Sequence, residues 1–324
     1  MMGKSKLFVL VAVVLVITAP VVSLLHGWYG KGPLEEARSF VVPDGAGLVV
    51  VAAKLQKEGV VYSARALRFH ARIMGAGGAI KAGEFKLPAG ASEQEILKII
   101  SSDEVLRRFV TIPEGLPAIM VKEKLEANPD LAGPVDVPAE GSVLPDTYDI
   151  QKGETRAAVL ARMQAAMTRV LADLWARRGP DTVAKTPQEA VTLAAIVEKE
   201  TGKPSERPMV AGLYSNRIRQ GIMLQADPTI IYPITAGKPL GRRIRQSEIQ
   251  ARNDYNTYAM AGLPKGPITN PGRASIEAVL HPAKTQALYM VANGGGGHAF
   301  ANTLEEHNRN VERWFAIRRS KGEI

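Results

Sequence analysis

The sequence predicts an α+β protein in which an N-terminal transmembrane helix precedes two domains. Three observations support this: a long uncharged segment near the N-terminus, an alternation of short strand-like and helix-like patterns after it, and a length of 324 residues, enough for two modest cores. The predicted divisions are a cytoplasmic tail (1–6), a transmembrane anchor (7–25), a linker (26–36), a first domain (37–104) and a second domain (105–324).

The membrane prediction depends on residues 7–25, which contain no charged side chain. As a helix they would span roughly 28 Å, close to the thickness of bilayer hydrocarbon. Lys4 and Lys6 precede them, so the positive-inside tendency predicts a single-pass inner-membrane protein with its bulk in the periplasm. A cleaved signal peptide is the alternative, but "VVSLLHG" lacks the small residues of a cleavage site.

Composition excludes several classes of site and partner. Without cysteine the chain has neither disulfides nor thiolate metal ligands, and the five histidines lack metal-binding spacing, so we expect no metal and no cofactor. The net charge of +9 is spread along the chain, and a periplasmic domain rarely meets nucleic acid. Acidic polymers and anionic lipids are therefore better partners than nucleic acid.

The first domain has a β-α-α-β pattern. "RSFVVPDGAG" and "AGEFKLPAG" read as strands, and the segments near 46–58 and 63–75 between them read as helices. This length and order resemble LysM modules, which bind glycan chains. A plain structural domain is the alternative.

The second domain is preceded by a helix, "SEQEILKIISS", with a capping box between Ser92 and Glu95. A strand ("RRFVTIPEG"), a helix ("PAIMVKEKLEAN"), a loop over 128–145 and a long helix over about 155–178 follow. Near the C-terminus, "NGGGGH" reads as a hairpin turn, and "TLEEHN" opens the last helix with a second capping box.

The segment "TPQEAVTLAAIVEKETG" predicts a helix with strong end signals. Thr186 is the N-cap, Pro187 takes the first helical position, Glu189 completes a capping box, and Gly202 is the predicted stop.

Two glutamates at the end of this helix are predicted to differ. Glu200 shares one helix face with three apolar residues, Ala190, Leu193 and Val197. Glu198 is displaced from that face by about 200°, so we expect it to face solvent or a neighbouring loop. Partial burial and the negative end of the helix dipole should raise the pKa of Glu200, as a general acid requires. The alternative is that Glu200 forms an ion pair with Arg217 on the next helix.

The following segments concentrate polar residues. A helix is predicted to open at Ser205 and to stop near Gly221. "MLQADPTIIYPI" reads as an extended segment with an Asp-Pro turn, and "NDYNTYAMAGLPKGPITNPG" reads as a polar loop that could hydrogen-bond a sugar edge. These segments contribute Gln225, Asp227, Thr229, Tyr232, Asn256, Thr257 and Tyr258.

Six blocks in this region, "IVEKET", "NRIRQGIMLQADPTIIY", "YNTY", "GLPKGPITNPG", "HPAKT" and "GGHAF", resemble in order and spacing those of the YceG-like family, the endolytic murein transglycosylases. They cover roughly residues 190–310, and the N-terminal apolar segment and LysM-like pattern also match that family's layout. The family's catalytic glutamate corresponds to Glu200, in agreement with the helical-face argument.

The resemblance implies cleavage of the β-1,4 bond between N-acetylmuramic acid and N-acetylglucosamine within peptidoglycan strands, leaving 1,6-anhydro ends and terminating nascent strand elongation. Glu200 would be catalytic, and Gln225, Asp227, Thr229, Asn256 and Tyr258 are the substrate-binding candidates. Peptidoglycan synthases are candidate protein partners.

Two other functions stay open. The first is a glycoside hydrolase, which would need a second carboxylate near Glu200, and Asp227 is the candidate for it. A role of Asp227 in the turn before Pro228 would explain this residue equally well. The second is a membrane-anchored glycan-binding scaffold without catalysis.

Overall fold

The computed structural model describes residues 4–76 and 78–322, with side chains of the first helix described at 14, at 16 and from 18 onward. The contacts divide the chain into two units, one ending at Arg108 and the other beginning at Phe109. The domain boundaries that the sequence suggests stay a prediction.

The N-terminal helix α1 (Lys4–Tyr29) extends beyond the predicted membrane segment. Trp28 is only 2 % exposed and belongs to the core of the first unit, so part of the predicted linker (26–36) is helical and packed. In the part of the chain that the structure describes, no helix combines the length and the apolar character needed to cross a membrane. The predicted span (7–25) falls partly on residues whose side chains lie outside that description.

The first unit contains the predicted β-α-α-β order. Its elements are β1 (Arg38–Val42), α2 (Leu48–Lys57), α3 (Ala64–Ile73) and β2 (Gly83–Leu87), followed by α4 (Glu93–Ile100). The strands are antiparallel, and Phe40 lies opposite Phe85, both fully buried. The predicted capping box forms, because Ser92 and Glu95 each accept the other's backbone N–H. A relationship to LysM modules stays a prediction.

The second unit begins with short strands around two helices. The elements are β3 (Arg108–Thr111), α5 (Ala118–Glu126), β4 (Leu131–Ala132), β5 (Thr147–Ile150), β6 (Glu154–Thr155) and α6 (Arg156–Ala176). Strand β3 pairs with β5, and β4 pairs in parallel with β6. Val110, Val121 and Met163 belong to the buried cluster that joins these elements.

The rest of the unit is mainly helical. The elements are α7 (Pro187–Glu200), α8 (Arg207–Arg219), α9 (Asp227–Thr235), α10 (Gln246–Gln250), α11 (Arg273–Leu280), a hairpin of β7 (Tyr289–Ala292) and β8 (His298–Ala301), and α12 (Leu304–Ser320). Helix α7 packs against α6, α8, α9 and α11. Every residue over 190–197 is buried, so α7 is the central helix of this unit.

Three local predictions needed correction. The segment after Gly221 was expected to be extended, but α9 begins at Asp227, because proline is tolerated in the first turn of a helix and Pro228 opens one. Thr186 caps α7 as predicted, whereas the Glu189 carboxylate accepts the N–H of Lys185 instead of completing the box. The extended Thr201, rather than Gly202, ends α7.

Candidate active site

Glu200 lies at the C-terminal end of α7, on the wall of a cavity of about 530 Å³. The three apolar residues on its helix face, Ala190, Leu193 and Val197, are fully buried, as the helical spacing predicts. Glu200 itself is partly exposed, and it ends the buried stripe where the stripe meets the open space. The carboxyl is therefore both desolvated by the core and accessible to a ligand.

The surroundings raise the pKa of Glu200 to about 7. Burial is the largest cause, because it disfavours the charged carboxylate, and the negative charge of Asp227 acts in the same direction. A hydrogen bond from the Tyr214 hydroxyl and the positive charge of Arg217 oppose the shift. A substantial fraction of this carboxyl is consequently protonated near neutral pH.

Arg217 is engaged elsewhere, so the ion pair with Glu200 that the sequence left open does not form among the described residues. The guanidinium donates to the carbonyl oxygens of Leu288 at 2.6 Å, Met223 at 2.9 Å and Leu224 at 3.0 Å. These bonds tie α8 to the segments before β7 and α9. Arg217 influences Glu200 only through its charge.

Asp227 and Tyr258 form a second polar group on the wall of the same cavity. The Tyr258 hydroxyl donates to Asp227 Oδ1 at 2.6 Å. Asp227 also stands in the first turn of α9, where the helix dipole favours a negative charge. The cavity thus holds one carboxyl with a raised pKa and a second carboxylate oriented by a tyrosine.

The profile of the "YceG-like family" matches residues 40–313, most of this chain. The chain belongs to the YceG-like family.

The chain is similar to two proteins that carry the name endolytic murein transglycosylase. The chain is 26 % identical over 332 residues to an endolytic murein transglycosylase of Bacillus subtilis (strain 168), in an alignment that covers 90 % of this chain and 91 % of the relative. It is 28 % identical over 319 residues to an endolytic murein transglycosylase of Streptococcus pneumoniae serotype 2 (strain D39), covering 83 % of this chain and 57 % of that longer protein.

A crystal structure of a YceG-like protein from Listeria monocytogenes shares the fold. It superposes with a TM-score of 0.53 at 24 % sequence identity, covering 85 % of this chain and 98 % of that one. The mixed α+β architecture is therefore one found in this family.

Three of the five substrate-binding candidates, Gln225, Asp227 and Tyr258, line the cavity around Glu200. Gln225 adopts a positive φ of 55°, an uncommon conformation for a residue with a side chain. Its Oε1 accepts from Arg217 at 3.1 Å while its backbone N–H donates to the carbonyl oxygen of Thr257. These two hydrogen bonds fix Gln225 in position on the cavity wall.

The other two candidates, Thr229 and Asn256, lie away from the cavity surface. Both are 0 % exposed. The Asn256 amide donates to the carbonyl oxygens of Ile249 and Ala251, and the hydroxyl groups of Thr229 and Thr257 are 2.8 Å apart. Because these polar groups already have partners in the protein, the residues position the loop that carries Tyr258, and the predicted direct contact with a sugar is not what the structure provides.

Glu198 does not face solvent. Its side chain is 5 % exposed, Oε1 accepts from the Arg207 guanidinium at 3.0 Å, and Oε2 accepts the N–H of Gly272 at 2.9 Å. His298, which follows the glycine-rich turn, pairs with Glu206 at 2.8 Å. Both residues stabilise neighbouring elements.

The sequence reasoning missed several residues of the site. Tyr214, Lys199, Tyr289 and His307 line the cavity. Tyr214 could have been found, because it precedes Arg217 by one helical turn and so shares its face. Tyr289 and His307 stack at 5.3 Å between ring centroids, a contact between β7 and α12 that no local pattern indicates. Across the described residues, no cluster of three or more His, Asp or Glu side chains could hold a metal ion.

Proposed function

We propose that this chain is an endolytic murein transglycosylase, which cleaves the β-1,4 bond between N-acetylmuramic acid and N-acetylglucosamine inside a peptidoglycan strand. The supporting observation is the carboxyl of Glu200, whose pKa is raised to about 7, on the wall of a cavity of about 530 Å³. The two relatives in Bacillus subtilis and Streptococcus pneumoniae are named for the same activity.

The reaction starts with Glu200 protonated. Its carboxyl donates the proton to the glycosidic oxygen while the C1–O bond breaks, and positive charge develops on the muramic ring. The C6 hydroxyl of the same ring then attacks C1, and its proton passes to the Glu200 carboxylate. The products are a free 4-hydroxyl on N-acetylglucosamine and a 1,6-anhydro end, and the acid is regenerated without consuming water.

Asp227 supports both steps in this proposal. Its negative charge helps to keep Glu200 protonated before the reaction and stabilises the positive ring during it. The hydrogen bond from Tyr258 holds the Asp227 carboxylate in place. Gln225, exposed on the cavity wall, is available to an acetamido or hydroxyl group of the strand.

Hydrolysis is the second candidate function, because Asp227 is a second carboxylate on the wall of the same cavity. In a hydrolase, Asp227 would activate water or attack C1 itself. A glycan-binding scaffold is a third, in which the cavity holds the strand without cleaving it.

Product analysis separates the three functions. Purified peptidoglycan is digested with the full-length chain, and the new ends are identified by mass spectrometry. Anhydro ends that disappear in Glu200→Gln support the transglycosylase, whereas reducing ends that carry an added water indicate hydrolysis. Absence of any cleavage would leave only the scaffold. Glu277→Gln, an exposed residue of α11 outside the cavity, is the matched control and should retain activity.

We further propose that α1 anchors the chain in the inner membrane with both units in the periplasm. The support is the uncharged sequence over 7–25 and the lysines before it. An anchored chain stays in the membrane fraction after alkaline extraction. Protease added to the medium of intact spheroplasts should shorten it, because both units would lie outside the inner membrane. Release at alkaline pH would contradict the proposal.

Peptidoglycan synthases are the proposed protein partners. Crosslinking of the chain to these synthases in the same membranes tests this proposal.

We also infer that the first unit binds glycan, as its LysM-like pattern implies. The loops over 43–48 and 78–82 line a cavity of about 380 Å³ beside the two-stranded sheet. If this inference is right, Ala46→Trp, which fills the cavity, weakens cosedimentation of the Glu200→Gln chain with peptidoglycan. Unchanged cosedimentation would contradict it.

A further inference from the structure

A second cavity, of about 430 Å³, adjoins the cavity that contains Glu200. We call it the side cavity. Three residues, Lys199, Pro228 and Ile231, line both spaces. The far wall of the side cavity comes from the start of α5 and from the loop after α9, including Met120 and Pro239. A ligand bound at Glu200 could therefore place a substituent in the side cavity.

The two cavities differ in chemistry. Glu200, Asp227 and Tyr258 give the first one hydrogen-bonding groups and an aromatic ring, as a sugar site requires. Among the described residues that line the side cavity, none is aromatic, and lysines are the only polar side chains. Such a lining favours aliphatic groups over the hydroxyl-rich surface of a sugar.

The lysines add a charge preference. Lys199 is exposed at the junction of the two cavities. Lys238 lines the side cavity but not the cavity of Glu200, and it forms an ion pair with Glu123 on α5. An occupant of this space should thus combine aliphatic parts with at least one carboxylate.

The substrate of the proposed reaction carries such a group. The muramic ring bears a lactyl ether at C3, and a short peptide with alanyl methyl groups and free carboxylates is attached to it. We propose that the side cavity binds this peptide substituent of the muramic residue whose C1–O bond is cleaved. The proposal rests on the proposed function, and it makes the side cavity a specificity site for strands that retain their peptides.

Blocking the side cavity tests the proposal. Met120→Trp fills it from a position that does not line the catalytic cavity, and Lys124→Trp, exposed on the same helix, is the matched control. Substrates are uncrosslinked strands with their peptides and the same strands stripped by an amidase. We expect Met120→Trp to lower kcat/KM roughly tenfold on peptide-bearing strands, mainly through KM, and to leave stripped strands unaffected. Lys124→Trp should match the parent chain on both.

A second variant covers the case in which the tryptophan disturbs folding. Lys238→Met should lower kcat/KM for peptides with free carboxylates more than for the same peptides with amidated carboxylates. Equal kcat/KM of the parent chain on peptide-bearing and stripped strands would overturn the proposal while leaving the transglycosylase function intact. So would an equal effect of either variant on both members of its substrate pair. Failure of the parent chain to cleave any strand would instead overturn the proposed function.

Discussion

Two glutamates in the last turn of α7 are suited to different roles because their partners differ. Glu198 is buried against the Arg207 guanidinium and the N–H of Gly272, both of which favour a carboxylate. Glu200 has no cationic partner among the described hydrogen bonds, and it faces a cavity that also holds the negative Asp227. A buried carboxylate paired with a cation is typical of a structural residue, whereas a buried carboxyl without a cationic partner is a candidate acid.

The pH dependence of activity follows from the pKa of Glu200, raised to about 7. Only the protonated form can donate to the glycosidic oxygen, so kcat/KM for strand cleavage should fall above about pH 7, approaching about tenfold per pH unit. Initial rates on a soluble strand, measured across the pH range, give the descending limb of the pH–rate profile.

The charge of Asp227 is one cause of the raised pKa, so its removal should move the limb. In Asp227→Asn the descending limb should begin at lower pH, because a negative neighbour no longer disfavours ionisation of Glu200. A limb at the same pH in both proteins would show that Glu200 is not the group that titrates.

Glu200 should also reduce the stability of the folded chain at high pH. The folded pKa of Glu200 is raised from 4.5 to about 7, so the folded chain binds more protons than the unfolded chain in this window, and stability falls as pH rises through it. Glu200→Gln removes this penalty. We expect the variant to be more stable than the parent by roughly 3 kcal/mol at pH 8 and about equal at pH 4.

Urea unfolding at both pH values measures the difference. Glu277→Gln, an exposed change, serves as the control and should shift neither curve. A Glu200→Gln variant that is less stable at pH 8 would indicate that the carboxylate has a stabilising partner.

At the scale of elements, α7 places the acid because its two ends are held differently. Thr186 caps the N-terminus, and the last turn is fixed by Glu198, which joins α7 to the start of α8 through Arg207 and to the start of α11 through Gly272. Arg207 also donates to Glu114 at 2.7 Å. Three segments distant in sequence therefore meet at Glu198 and Arg207, and Glu198 lies two residues before the candidate acid Glu200.

Removal of one partner from this buried pair should be costly. In Glu198→Gln the buried Arg207 guanidinium loses one of its two carboxylate partners and keeps the bond to Glu114, so the free energy of unfolding should fall by roughly 1.5–3 kcal/mol, the value of a charge-assisted hydrogen bond. Glu206→Gln, which removes the charge from a more peripheral pair with His298, is the comparison and should cost less. Chemical denaturation at pH 7 measures both. Equal losses would show that the pair with Arg207 is effectively solvated.

Helix α9 shows how one residue joins an element to the site. Pro228 in its first turn sets where the helix begins, so Asp227 stands at the N-terminus and faces the cavity. Gln225, two residues before Asp227, adopts a positive φ in the segment between α8 and α9. The position of the second carboxylate is thus a consequence of where the helix starts.

At the scale of the whole molecule, the two units have separate cores. Phe40, Phe85 and Leu55 belong to the core of the first unit, while Leu193 and Val210 belong to that of the second. Each core is built from buried side chains of its own unit.

Separate cores should give separable unfolding. Phe85→Ala should cost roughly 3–5 kcal/mol in the first unit, and Leu193→Ala roughly 2–5 kcal/mol in the second. Calorimetry should show each change lowering the Tm of a different transition, with Leu193→Ala alone reducing strand cleavage at elevated temperature. A single transition that both changes lower equally would show that the units unfold together.

The sequence was sufficient wherever neighbours along the chain decide the structure. The helix over α7, its Thr186 cap, the capping boxes at Ser92 and Thr303, and the glycine-rich hairpin were all predicted, and all are observed. Helical spacing also placed Glu200 correctly on the face of buried apolar residues. Membership of the YceG-like family was predicted from short blocks in order and is confirmed.

Sequence reasoning failed where a partner comes within hydrogen-bonding distance only when the chain has folded. The burial of Glu198 depends on Arg207 and Gly272, and the burial of Asn256 depends on carbonyl groups that its amide meets after the loop has folded. The segment that contains Ile230 and Ile231 was interpreted as extended, although it is helical, because periodicity cannot separate extended from helical structure over so short an apolar run.

By itself, the amino-acid sequence determined which helix carries the acid, which face of that helix is buried, and which family the chain belongs to, because helical period and end signals act over a few residues. Only the tertiary structure decided that Glu198 pairs with Arg207 while Glu200 has no cationic hydrogen-bond partner among the described residues, and that Asp227 lines the same cavity as Glu200. The pKa of a carboxyl is set by charges and solvent a few ångströms away in space, and packing alone brings those charges together.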